Sequence, residues 1–240
     1  PELLFGLGGG SSAESQIARR LVEHGFVVVV PSVVSRGKLP TDDERLLRSD
    51  QTNREWICRQ AFHMGRHVIG YEVQAVLAVA DWCHTRYPGL RIGVAGYGEG
   101  GLIAFYSAAI DQRIDVALIS GYFDDRQSVW SEPIYRTVWS LLSRFGDAEI
   151  ASLILPRRLI IEYSPVPSVS GHKGDLQQPD FARVASEFDR IPRDALLPVP
   201  AFIHGENAPV GPWSASAVRS FAAGFGIDSE LPARAETVQD

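Results

Sequence analysis

The residues best suited to do chemistry sit in one turn. Residues 91–110 read RIGVAGYGEGGLIAFYSAAI, an apolar run broken by Gly96-Tyr97-Gly98-Glu99-Gly100-Gly101 and followed by an alanine-rich helical run. Two machines use a glycine-rich turn between a strand and a helix. The first is a dinucleotide-binding turn, G-x-G-x-x-G, which Gly96, Gly98 and Gly101 fit. The second is a nucleophile elbow, G-x-S-x-G, which Gly96 and Gly100 fit, with Gly98 where the serine should stand.

The dinucleotide reading needs an acidic residue near the end of the next strand to hold the ribose hydroxyls. The next apolar run, DVALIS, ends without one, and Asp124 and Asp125 come later in a loop. Gly6-Leu7-Gly8-Gly9-Gly10 is a second glycine turn, but the run after it, FVVVVPSVV, also lacks an acid. The elbow reading finds its companions in the order nucleophile, acid, histidine. Glu162 closes the strand-like run RRLIIEY and His204 closes VPAFIH. The backbone N–H groups of Leu7, Gly8 and Glu99 are then placed to form an oxyanion hole. The ordinary readings are a helix-start charge for Glu99 and an acid paired to Arg157 or Arg158 for Glu162. The sharper role for Glu99 is a base on a bound water.

Other constellations carry less. His63 and His67 have zinc-helix spacing, but Met64 stands where a metalloprotease needs glutamate, and Arg66 lies between them; no metal site is expected. Arg54, Arg59 and Arg66 are solvated or paired, or, if their segment faces the pocket, hold a carboxylate. His172 lies in a Pro/Gly/Ser-rich loop of the kind that forms lids. Trp130, Tyr135 and Trp139 belong to a cap, as its core or as a substrate platform. Cys58 and Cys83 are too few for a disulfide framework and read as buried thiols.

These residues must be positioned by an alternation of strands and helices. LLFGLG, FVVVVPSVV, RIGVA, DVALIS, RRLIIEY and VPAFIH read as six strands. SSAESQIARRLVEHG, with Ser11 and Glu14 as a capping box, reads as a helix, as do segments in 64–84, 101–110, 181–191 and 214–227. The pattern predicts one α/β domain over 1–227 with a mostly parallel sheet. Residues 35–59 are expected as a long polar loop, 122–150 as a cap-like insertion, 163–180 as a long loop and 228–240 as a polar tail. The 240 residues, 45% hydrophobic and 22% charged, suit a globular protein. A net charge of −6 with scattered basic residues argues against a nucleic-acid face. No apolar stretch reaches the ~18 residues of a membrane span. The abrupt opening on an apolar run suggests a trimmed form or one domain of something longer, with no signal peptide, and leaves the compartment open.

On the GYGEGG turn and the strand order, the chain resembles the α/β-hydrolase superfamily, near the dienelactone hydrolases and acetyl xylan esterase-like proteins. The resemblance implies a three-layer α/β-hydrolase fold lacking its first strand or two, no cofactor, and a pocket for a small ester-like ligand. It also implies ester or lactone hydrolysis by a serine or cysteine, the residue that Gly98 replaces. The usual His-Gly after the opening strand is here Phe5-Gly6. Three functions are then open: a binder without serine catalysis, an ester hydrolase using a water or another nucleophile activated by His204, or a dinucleotide-binding protein.

Overall fold

The computed structural model describes residues 2–5, 15–39, 41–48, 50–169, 174–193 and 199–227. Its chain order begins with helices: α1 (Glu2–Phe5), α2 (Ile17–Glu23), α3 (Glu44–Leu47), α4 (Asn53–His63) and α5 (Val68–Arg86). Then come β1 (Ile92–Tyr97), α6 (Glu99–Ile110), β2 (Ile114–Ser120), α7 (Asp147–Ser152) and β3 (Arg158–Glu162). The described chain closes with α8 (Phe181–Asp189), β4 (Ala201–Ile203) and α9 (Ala215–Ala223).

The four strands form one parallel sheet in the order β1-β2-β3-β4. Side chains alternate across it. Val116, Leu118 and Ile160 pack with Trp213, Val218 and Phe221 on one face. Ala117, Ile119, Leu159 and Ile161 join Leu102, Phe105 and Val184 on the other. Both faces are covered, which is why these strands read as unbroken apolar runs. The result is the α/β layering expected, helix on sheet on helix.

Two expected strands are not in the sheet. LLF forms the single helical turn α1, and Leu4 leans on the α9-side core. FVVVV forms no strand and has no ladder partner among the described residues. Its alternate residues Phe26 and Val28 pack on that same core, while Val27 and Val29 are exposed. A valine run specifies extended backbone, but the ladder needs a neighbouring strand that composition does not supply.

The polar segment 35–59 is not all loop. It holds α3 and the start of α4, where Thr52 Oγ1 accepts the N–H of Glu55. Thr52-x-x-Glu55 is a capping-box pattern. The capping-box pair Ser11 and Glu14 and the 228–240 tail lie outside the described residues. The 122–150 insertion consists of short 3₁₀ turns leading into α7. No described helix is long and apolar enough to cross a membrane.

Candidate functional site

The carboxyl ends of the strands are level. Tyr97 pairs with Ser120, Ser120 with Glu162, and Glu162 with Ile203, so one row of residues closes all four strands. Open α/β sheets place ligands beyond that edge. The next residues along the row are Gly98, Gly121, Tyr163 and His204. With strands roughly 4.8 Å apart, Gly98 and His204 start three spacings from one another, about 14 Å.

Gly98 makes the turn from β1 into α6 with φ 56° and ψ −112°. This left-handed backbone is the strained geometry that an elbow uses to present its nucleophile. Gly96 is required by contact: a Cβ there would lie 1.9 Å from the Gly100 carbonyl oxygen. Above Gly98, the loop after β3 runs back across the sheet edge. Tyr97 Oη donates to the Pro165 carbonyl at 2.8 Å. A Cβ on Gly98 would sit 2.7 Å from Pro167 Cγ and 3.1 Å from its Cδ. The space into which a side chain at position 98 would project is filled by a proline ring.

Glu99 is buried at the start of α6, and two guanidinium groups grip it. Arg54 Nη2 donates to Oε1 at 3.3 Å and Arg136 Nη1 to Oε2 at 3.1 Å. Arg54 also chelates Glu72, whose Oε1 accepts the Val34 N–H. Arg136 Nε bonds Glu132, Glu132 accepts from Arg126, and Arg126 bonds Asp147. Four carboxylates and three arginines thus alternate in one chain, which ties α5, α4 and α6 to the insertion and α7. Glu99 is a structural anchor in it, and the fully buried Arg54 holds carboxylates of its own chain. Arg59, by contrast, pairs with Glu55 beside it.

Glu162 is buried and fully engaged. It accepts from Ser120 Oγ at 2.6 Å and from the backbone N–H groups of Trp213 and Ser214 at 2.9 and 2.8 Å. Those two residues lead into α9, where a carboxylate suits the positive helix end. Arg157 and Arg158 serve backbone carbonyls and Ser220 instead. His204 is exposed, its ring against Phe181 and Phe202. Its Nδ1 lies 2.6 Å from the Gly205 carbonyl. A carbonyl only accepts, so Nδ1 is the donor in this contact. The structure therefore brings Glu162 to α9 and His204 to an aromatic edge, and joins neither to Gly98. Gly6, Leu7, Gly8 and His172 lie outside the described residues.

The family model of the dienelactone hydrolase family matches residues 4–131. The chain belongs to the dienelactone hydrolase family. The matched segment contains the Gly96–Gly101 turn and the strands on either side of α6, and it ends before Glu162 and His204. No curated protein and no solved structure matches the chain.

The remaining candidates have ordinary roles. His67 caps α5, its Nδ1 accepting the Ile69 N–H, and its Nε2 lies 3.1 Å from the Thr137 carbonyl. Burial holds it below the usual histidine range. Cys58 is buried and Cys83 partly so, and burial raises both thiols. Tyr135 is core, whereas Trp130 and Trp139 are exposed.

Sequence reasoning weighed Asp124, the first buried acid beyond β2, only as an acid too late to hold a ribose. Burial lifts its carboxyl to about 6, against the pull of Arg126 and Arg183. Its signal was Asp124-Asp125 just beyond Gly121-Tyr122-Phe123, which follow the end of β2. Glu132 and Arg136, four apart, were a second unread signal.

Proposed function

We propose that this dienelactone hydrolase-family protein works by binding a small ester-like molecule, without serine or cysteine catalysis. The observation that carries this reading is Gly98 at the apex of the turn, under the ring of Pro167. Membership of a hydrolase family supports taking that turn as an elbow rather than a dinucleotide loop. Glycine offers no atom to a carbonyl. Loss of a triad nucleophile costs about 10⁶ in turnover, which reduces a typical ~10 s⁻¹ to about 10⁻⁵ s⁻¹. The hydrogen bonds of Glu162 and His204 support the same reading, since Glu162 is taken up by Ser120 and the start of α9 and His204 Nδ1 by the Gly205 carbonyl.

A second reading, a water activated by His204, draws on the exposure of its ring. The two are separated by hydrolysis of a nitrophenyl acetate by the native chain, His204→Ala and Gly98→Ser. Binding alone predicts that native and His204→Ala match the uncatalysed rate. It also predicts that Gly98→Ser gains nothing, because Pro167 stays in place and Glu162 is taken up by Ser120, Trp213 and Ser214. Native turnover that His204→Ala abolishes would replace the binding reading with the second one. In parallel, a small lactone should shift amide resonances around Gly98 and Glu99 without being consumed.

A further inference from the structure

Beyond the ends of β2 and β3 lies a cleft of about 400 Å³ including its open mouth. Tyr122, Phe123 and Tyr163 line it as aromatics, with Asp124, Glu132 and Glu162 as acids and Arg126 and Arg136 as cations. It is a different place from the elbow, and its chemistry is the same whether or not Gly98 silences catalysis.

The hydrogen bonds of its walls can be counted. Glu132 gives one oxygen to Arg126 and the other to Arg136. Glu162 is engaged by Ser120, Trp213 and Ser214. Asp124 differs. Its N–H goes to Asp147, its Oδ2 has a long contact with Arg183 at 3.4 Å, and the N–H and carboxyl of Asp125 also lie against its carboxyl. Its Oδ1 is buried and has no partner among the described residues, and the residue is 8% exposed. A buried acceptor without a donor is costly, and a ligand that supplies one recovers that cost.

The ligand's charge is set by the surroundings. The arginines in the walls are already committed to carboxylates, so an anion finds no free partner there among the described residues. The cleft's own acids outnumber its cations three to two. Arg183 and Asp147 face Asp124 from α8 and α7, and Asp125 adjoins it; with them the surplus stays acidic. A primary ammonium carries positive charge and three donors in a compact head. We propose that this cleft binds the ammonium head of a small amine, with Asp124 Oδ1 as its principal acceptor.

The test uses the full chain and methylamine as probe, followed by NMR with carboxyl-labelled aspartate. Methylamine should give saturable shifts at Asp124 and at neighbouring Tyr122 and Ser164. Asp124 binds the cation only when ionised, and the apparent affinity scales with that fraction. With the carboxyl near 6, binding should be about tenfold weaker at pH 5 than at pH 7.5. Asp124→Asn should abolish the shifts while its own amide spectrum remains dispersed. The pH profile of the native protein tests the same point even if that variant fails to fold. Absence of a saturable shift, shifts that survive Asp124→Asn, or an affinity independent of pH would each overturn the proposal. So would equal binding of methanol, which would make the cleft a site for neutral hydroxyl donors.

Discussion

Two neighbouring parts of the sheet edge invite opposite conclusions. At the end of β1 stands a glycine turn with the sequence and backbone expected of an elbow, yet Gly98 has no side chain, Pro167 occupies the space above it and Glu99 is tied to two arginines. Beyond β2 and β3 no motif marks the sequence, yet a cleft remains with a carboxylate oxygen unpaired among the described residues. A motif reports the backbone that a turn needs. Reactivity depends on which polar groups are left over once neighbours are satisfied, and that is a property of the packed chain.

The contrast breaks most severely at Gly96. Gly96→Ala puts a Cβ onto the Gly100 carbonyl, a backbone atom that cannot swing aside. The expected loss exceeds about 4 kcal/mol, read as lost cooperative unfolding in urea. Gly100→Ala is its control: a Cβ there meets nothing within 4 Å, so stability should hold or rise by up to ~1 kcal/mol.

Next comes the charge chain behind the turn. Glu99→Ala leaves Arg54 and Arg136 buried with a partner missing, at a cost of about 3–5 kcal/mol. Denaturant midpoints should show it, and added salt should restore little, because the pair is hidden from screening ions. A change below about 1 kcal/mol would mean that Glu99 is an N-terminal charge after all.

On the cleft side the expected effect depends on pH. Asp124 holds its proton more tightly folded than unfolded, since burial lifts it to about 6 from an ordinary value near ~3.9. The native state therefore binds more protons in that window, and stability falls as pH rises from about 4 to about 6. The drop is on the order of 3 kcal/mol. Asp124→Asn lacks this contribution, so its stability relative to native should improve by that amount between pH 4 and pH 7.5. A gap that does not change with pH would mean that the carboxyl is solvated.

How much of the molecule was legible depends on the range of the interaction. The four sheet strands announced themselves because both their faces are apolar, and the glycine turn because Gly96 and Gly98 answer largely to backbone within five residues. The fate of FVVVV was not legible, since a ladder partner is remote in sequence. Nor was the burial of Glu99, whose partners Arg54 and Arg136 are 45 and 37 residues away. Pro167 over Gly98 belongs to the same class: a loop after β3 closing on the end of β1, two strands over.

The finest test asks which of two constraints keeps residue 98 a glycine. Backbone with φ 56° and ψ −112° strains any side chain, by about 1–3 kcal/mol, whatever stands above it. The ring of Pro167 adds a contact that removal of Cγ and Cδ would relieve, since in Pro167→Ala the retained Cβ lies 3.9 Å from the added atom. A double-mutant cycle of Gly98→Ala with Pro167→Ala separates the two. The backbone cost stays in both backgrounds, and the contact appears as a coupling energy of roughly 0.5–2 kcal/mol. A coupling of that size makes the loop after β3 a partner in closing the turn. A coupling near zero means that the loop yields easily, so that a side chain at position 98 would be opposed by the backbone alone.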